Sequence, residues 1–193
     1  MRIISGKFRG LKLQSPLDSN TRPTSDRLKE ALFSTLESHK YNLNINTSKV
    51  LDICSGTGAL GIEAISRGAK VAYFIEKDPK AIDVIEKNIL KLKINNKNEV
   101  HIKLLKDDAI KALGKIRTIF DIVFIDPPYN SSIIEKCLIG LKELNLINND
   151  SYIFAESSKN ENFNSDEYEV FDTKIYGKSK LTILRLLGSG SIE

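Results

Sequence analysis

From Lys49 onward, short apolar runs alternate with longer stretches in which apolar residues recur every three or four positions. The short runs predict strands at Val50–Cys54, Val71–Glu76, Val100–Leu105 and Phe120–Asp126. The longer stretches predict helices at Ala59–Arg67, Pro79–Lys93, Asp108–Lys115 and Ser132–Leu144. Pro79 falls at a first helical position, where its missing N–H has no partner to lose. Such alternation implies a mainly parallel sheet with helices on both faces. The ending breaks the pattern. A strand at Ser151–Ala155 is followed by a polar, acidic loop and then by strands at Tyr168–Ile175 and Lys180–Leu187. Tyr176-Gly177-Lys178-Ser179 joins these two as a hairpin. The expected architecture is α/β and Rossmann-like, a mostly parallel seven-stranded sheet with a C-terminal antiparallel hairpin.

Ahead of Lys49 the pattern is less regular. Residues 1–13 alternate around Gly6 and Gly10 and read as a β-hairpin. Thr24 is placed to N-cap a helix running to about Ser38, with Leu28, Ala31, Leu32, Thr35 and Leu36 as its inner stripe. Residues 40–48 are polar and Asn-rich and read as a linker. The expected division is an N-terminal hairpin and helix at 1–40, a main domain at 41–187 and a flexible tail at 188–193.

With 193 residues, the chain is long enough for one full core. No run approaches the roughly 18 apolar residues of a membrane span, and the N-terminus lacks the apolar segment of a secretory signal. Cys54 and Cys137 are far apart and form no metal-binding pair, so neither zinc nor a disulfide framework is expected. A cytoplasmic, monomeric protein with no metal is the expectation. Net charge is +4, and residues 1–13 alone hold Arg2, Lys7, Arg9 and Lys12 with no acid, so they carry the whole excess. That asymmetry points to an anionic partner. A solvated hairpin edge protected by basic residues explains it equally well.

Two segments carry the chemistry. Asp52-Ile53-Cys54-Ser55-Gly56-Thr57-Gly58 lies where the first parallel strand meets its helix, and Gly56-Thr57-Gly58-Ala59-Leu60-Gly61 matches G-x-G-x-x-G. Glu76, 20 residues past Gly56, closes the second strand at the distance expected of a ribose-binding acid. These residues by themselves fit a nicotinamide dinucleotide or S-adenosylmethionine. Asp52 favours the second, because an acid at the strand end suits an ammonium or sulfonium and repels a pyrophosphate. Asp107-Asp108-Ala109 follows the third strand, where an acid can accept an adenine amine. The other segment, Asp126-Pro127-Pro128-Tyr129, ends the fourth strand with two prolines that cannot donate to a ladder. An acid before a stiff bend and an aromatic ring after it can hold a flat, amine-bearing ring.

Together these segments resemble the class I S-adenosylmethionine-dependent methyltransferases that act on amino groups, and most of all the bacterial RsmD family. The similarity extends over nearly the whole chain. Residues 1–10, Arg22-Pro23-Thr24-Ser25-Asp26-Arg27 with Ala31-Leu32-Phe33, Val50-Leu51-Asp52 through Ala64, Ser66-Arg67-Gly68-Ala69, Asp126–Tyr129 and Tyr176-Gly177 all take part. Ile53-Cys54-Ser55 departs from the family's usual Leu-Phe-Ala. The resemblance implies methyl transfer to the exocyclic N2 of one guanine in 16S rRNA, with the small ribosomal particle as partner. It implies Asp126, Pro127 and Tyr129 at the acceptor. Asp52, Ser55, Gly56, Gly58, Glu76, Lys77, Asp108 and Ala109 would lie at S-adenosyl-L-methionine, and Arg2, Lys7, Arg9, Lys12 and Arg22 on RNA. A DNA adenine-N6 methyltransferase, a non-catalytic RNA-binding relative and a nicotinamide-dependent oxidoreductase are the competing readings. His39 and His101 are the only histidines available as a proton donor for the last.

Overall fold

The computed structural model describes residues 1–15, 26–41, 43–94, 99–128, 132–163 and 166–187. Among these, seven strands form one sheet in the order β3-β2-β1-β4-β5-β7-β6. The strands are β1 (Lys49–Ile53), β2 (Val71–Glu76), β3 (His101–Lys106), β4 (Ile122–Ile125), β5 (Tyr152–Ser158), β6 (Tyr168–Tyr176) and β7 (Ser179–Leu186). The five strands β1–β5 pair in parallel, while β7 pairs antiparallel with both β5 and β6. The helices are α1 (Asp26–Leu36), α2 (Ala59–Ser66), α3 (Pro79–Lys91), α4 (Ala109–Leu113) and α5 (Ile133–Glu143). The expected α/β architecture is the one observed, with element ends differing by a few residues.

Side chains alternate across β1. Leu51 and Ile53 enter the core shared with α4 and α5, whereas Val50 joins the core under α1 and α2. A third apolar cluster packs α2 and α3 on β2 and takes in Ile3 and Leu13 from the N-terminal segment. Chain order reverses beside β1: β2 lies on one side and β4 on the other. In open α/β sheets, the crevice outside the strand ends at such a reversal is where ligands bind.

The N-terminal hairpin closes through a single antiparallel bridge, Arg2 to Lys12. The Ile3, Gly10 and Leu13 N–H groups bond across the hairpin, while others are directed to α2. Ile4 and Ser5 donate to the Glu63 carboxylate at 2.8 and 2.9 Å. Lys7 donates to the Ser66 carbonyl and Phe8 to the Ser66 hydroxyl. Gly6 has φ +82°, and a Cβ there would lie 1.9 Å from the Ser66 carbonyl oxygen. The hairpin is thus laid against α2.

In the stretch read from sequence as a linker, 40–48, Tyr41, Ile45 and Ser48 are buried. Tyr41 is 2% exposed and its ring lies 5.2 Å from those of Tyr152 and Phe171, while its hydroxyl donates to Asp172. Polar neighbours hid a core aromatic. The Thr24 cap lies outside the described residues. In α1, Leu32, Thr35 and Leu36 are buried as expected; Lys29 and Phe33 are buried as well.

Candidate functional site

The turn after β1 is built to leave its outer side open. Cys54, Gly56 and Gly58 have positive φ (59°, 56° and 74°), so the chain coils tightly before α2. A Cβ on Gly56 would meet nothing within 4 Å, which leaves room for a ligand to approach the backbone. Gly61 serves packing: a Cβ there would fall 2.3 Å from the Phe74 ring, so α2 can lie close on β2 only with glycine at this position. Ser55 is turned inward. Its hydroxyl donates to the Asp52 carbonyl at 2.6 Å and accepts from the Ile75 N–H at 3.1 Å, fastening β1 to β2.

Three carboxylates converge at neighbouring strand ends. Asp52 sits in β1, Glu76 ends β2 and Asp126 follows β4; Ile53 is in register with both Ile75 and Ile125. The Asp126 N–H donates to the Ile53 carbonyl, which holds the acid beside the β1 turn. Asp52 is 1% exposed and accepts from the Gly61 N–H at 2.9 Å. Burial pushes its carboxyl well above the usual range; the Gly61 hydrogen bond opposes this, and the Asp126 and Glu76 charges add to it. The ionised form of Asp52 is thus disfavoured, and a cation beside it would oppose that. Glu76 is held from both sides. One oxygen accepts from the Gly56 N–H at 2.8 Å and the other from the Lys77 and Asp78 N–H groups.

The third strand end contributes less directly. Asp108 N-caps α4, one oxygen accepting from the Ile110 N–H, and Ala109 is buried behind it in the main core. Asp107 pairs with Lys115, and this hydrogen bond holds its carboxyl below the usual range. Lys77 is exposed. After β4, Pro127 is buried and Pro128 exposed; Tyr129 lies outside the described residues. His101 opens β3, with its ring beside Tyr73 at the end of the sheet opposite this cluster. Cys54 and Cys137 belong to or pack against the apolar core, and burial raises both thiols, so neither is an activated nucleophile.

Of the basic residues of the N-terminal segment, Lys7 lies away from this site. Arg2, Lys7, Arg9 and Lys12 are all exposed. Lys7, however, lies beside Ser66 at the far end of α2 and forms an ion pair with Glu99, just before β3. That is the amino end of the parallel strands, away from Asp126. Arg22 lies outside the described residues.

Sequence reasoning missed three buried polar residues that organise the site's surroundings: Lys29, Glu63 and Asn88, each 0% exposed. A usable signal existed for Asn88. It continues the buried stripe of α3 after Ala81, Val84 and Ile85, where an apolar residue is expected.

Known proteins resemble this chain over most of its length. The family described as "Conserved hypothetical protein 95" matches residues 1–185. A protein of Buchnera aphidicola named ribosomal RNA small subunit methyltransferase D is 36% identical over 158 residues, covering 81% of this chain and 78% of that one. The Escherichia coli K12 protein of the same name is 34% identical over 157 residues, covering 81% and 74%. The solved structure of Escherichia coli yhhF superposes with a TM-score of 0.80 at 30% identity, covering 96% of this chain and 97% of that one.

Proposed function

Because the chain belongs to the RsmD family of S-adenosylmethionine-dependent methyltransferases, we propose that it methylates the exocyclic N2 of a guanine in 16S rRNA. The observation that carries the donor assignment is the placing of Asp52 and Glu76 at neighbouring strand ends beside the open Gly56 turn. A buried acid behind that turn suits a cationic donor and opposes a pyrophosphate, which disfavours the oxidoreductase reading. The named relatives support rRNA as the acceptor.

The residues present fit the donor. Asp52 would balance the charge of its methionine portion, Glu76 would accept from the ribose hydroxyls, and Asp108 would face the adenine amine. Ser55, Gly56, Gly58, Lys77 and Ala109 would contribute backbone or packing surface around it. S-adenosylmethionine supplies an electrophilic methyl group. The protein's task on the acceptor side is positioning. A guanine N2 is a poor nucleophile because its lone pair is delocalised into the ring. Asp126 and the Pro127 carbonyl would each accept one N–H, turning the nitrogen towards a tetrahedral shape. Proline suits this second role, since its backbone presents a carbonyl without a competing N–H. Tyr129 would stack on the extruded base, worth about 1–3 kcal/mol, against an unstacking cost of a few kcal/mol. Arg2, Lys7, Arg9, Lys12 and Arg22 would contact phosphates, which orient the RNA without reading sequence.

The test is incubation with labelled S-adenosylmethionine and undermethylated small-subunit particles, with free rRNA and DNA as controls. Label is expected in the particle's rRNA, at N2 of one guanine. Label on adenine N6 of DNA would instead support the competing methyltransferase reading, and no label on any substrate would favour the non-catalytic one.

A further inference from the structure

Asn88 is a fully buried amide on α3, and its side-chain hydrogen bonds reach out of that helix to Gln14 and Thr57. Its Nδ2 donates to the Thr57 carbonyl at 3.0 Å and to the Gln14 carbonyl at 3.1 Å. Its Oδ1 accepts from the Gln14 N–H at 2.7 Å. Thr57 is the middle residue of the Gly56-Thr57-Gly58 turn. Gln14 directly follows the N-terminal hairpin. One side chain therefore fastens the donor turn to the N-terminal segment. A second contact runs the same way: the Thr57 hydroxyl lies 3.8 Å from the Met1 sulfur, and the Leu13 N–H donates to the Met1 carbonyl.

The rest of the segment is fixed to the helix that this turn begins. Glu63, on α2, takes the Ile4 and Ser5 N–H groups, and Ser66 takes those of Lys7 and Phe8. The Gly61 N–H on the same helix holds Asp52. The N-terminal segment thus runs along α2 and ends against the donor turn. Of the contacts described, those of Asn88 are the ones that grip the turn's backbone from outside β1, β2 and α2.

We infer that Asn88 is a positioning residue for methyl-donor binding: by holding the Thr57 carbonyl it keeps the glycine turn in its open, positive-φ shape, and it ties that shape to the N-terminal segment. This rests on the donor assignment made above. A buried amide with both ends engaged cannot be swapped for another polar group without leaving a partner unmatched. Asn88→Asp keeps size and the acceptor for Gln14 N–H, but it sets a carboxylate or its single proton against two carbonyls.

The experiment measures S-adenosylmethionine and S-adenosylhomocysteine affinity calorimetrically on the full chain, together with thermal melting and steady-state kinetics. Asn88→Asp is expected to weaken both ligands about tenfold at temperatures where it is folded, raising the donor KM while kcat at saturating donor is retained. Gln14→Pro removes the N–H that Oδ1 accepts and fixes the backbone there, changes no residue of α3, and should weaken donor binding by about threefold. Lys91→Ala releases an exposed contact to the Lys12 carbonyl in which Thr57 takes no part and should leave affinity unchanged. Wild-type donor affinity in folded Asn88→Asp, or in Gln14→Pro should the first variant not fold, overturns the inference even if melting falls. A wild-type protein that binds neither ligand would instead overturn the donor assignment itself.

Discussion

Lys29 of α1 and Glu63 of α2 face each other 3.6 Å apart, and neither side chain reaches solvent. Lys29 also donates to the Arg2 carbonyl, and Arg67 donates to Glu63 at 3.0 Å. Two cations and two backbone N–H groups therefore surround one buried carboxylate. This cluster joins the N-terminal segment, α1 and α2. Removing one partner of such a cluster leaves a buried charge without its counterpart, which costs about 3–5 kcal/mol. Glu63→Gln should lower urea-unfolding stability by about that amount. Adding Lys29→Met should restore a good part of it, because the stranded cation is then gone. A double variant no more stable than Glu63→Gln would show that the cost lies in the lost Ile4 and Ser5 hydrogen bonds instead.

Asp52 links donor binding to protons. Its carboxyl is raised above 3.8 in the folded protein, first by burial. The folded state therefore holds this proton more tightly than the unfolded chain. Its contribution is present at low pH and is lost as pH rises from about the unfolded value through the folded one. A bound cation favours the ionised form. Donor binding below the folded pKa should then release a proton, and affinity should strengthen as pH rises. Calorimetry in buffers of different ionisation enthalpy measures that release. Asp52→Asn should abolish it and make the unliganded protein more stable at neutral pH. Absence of proton release in the wild type would remove the role assigned to Asp52.

The glycines of the turn should separate by function. At Gly61 an added methyl collides with the Phe74 ring, which is 0% exposed, so Gly61→Ala should destabilise the fold by about 1–3 kcal/mol. At Gly56 the added methyl enters open space, with only the strain of φ +56° on the backbone. Gly56→Ala should therefore lose donor affinity with a stability cost of about 1 kcal/mol. The two variants, compared by melting and by ligand titration, should show opposite patterns; equal donor affinity in Gly56→Ala and wild type would mean that the open side of the turn is not the ligand side.

On the acceptor side, Asp126→Ala should abolish methyl transfer and leave the donor bound. Loss of donor affinity in calorimetry would instead assign Asp126 to the donor. Tyr129→Ala should lower turnover more than it lowers melting temperature. A Tyr129→Ala protein that melts early and turns over normally would make the ring a packing element.

Much of this was legible along the chain. The alternation from Val50 to Leu144 specifies parallel strands with covering helices, because apolar periodicity of a strand and of a helix are local properties. Gly56, Gly58 and the two prolines after Asp126 are likewise local, since backbone freedom and stiffness belong to the residue itself. Asp52, Glu76, Asp108 and Asp126 could be named from spacing for the same reason: each stands at or just past the end of a recognisable strand. Sequence by itself thus determined the fold class and the strand ends at which the candidate residues stand. Only the tertiary structure decided which of those ends are neighbours, setting β1 between β2 and β4 so that the Glu76 and Asp126 charges add to the burial that raises the Asp52 carboxyl. It also placed Lys7 at the end of the sheet away from Asp126, buried Tyr41 in a segment that reads as linker, and gave Lys29, Glu63 and Asn88 their partners. Those outcomes depend on contacts between residues tens of positions apart, and a buried charge or amide is tolerated only where such contacts satisfy it.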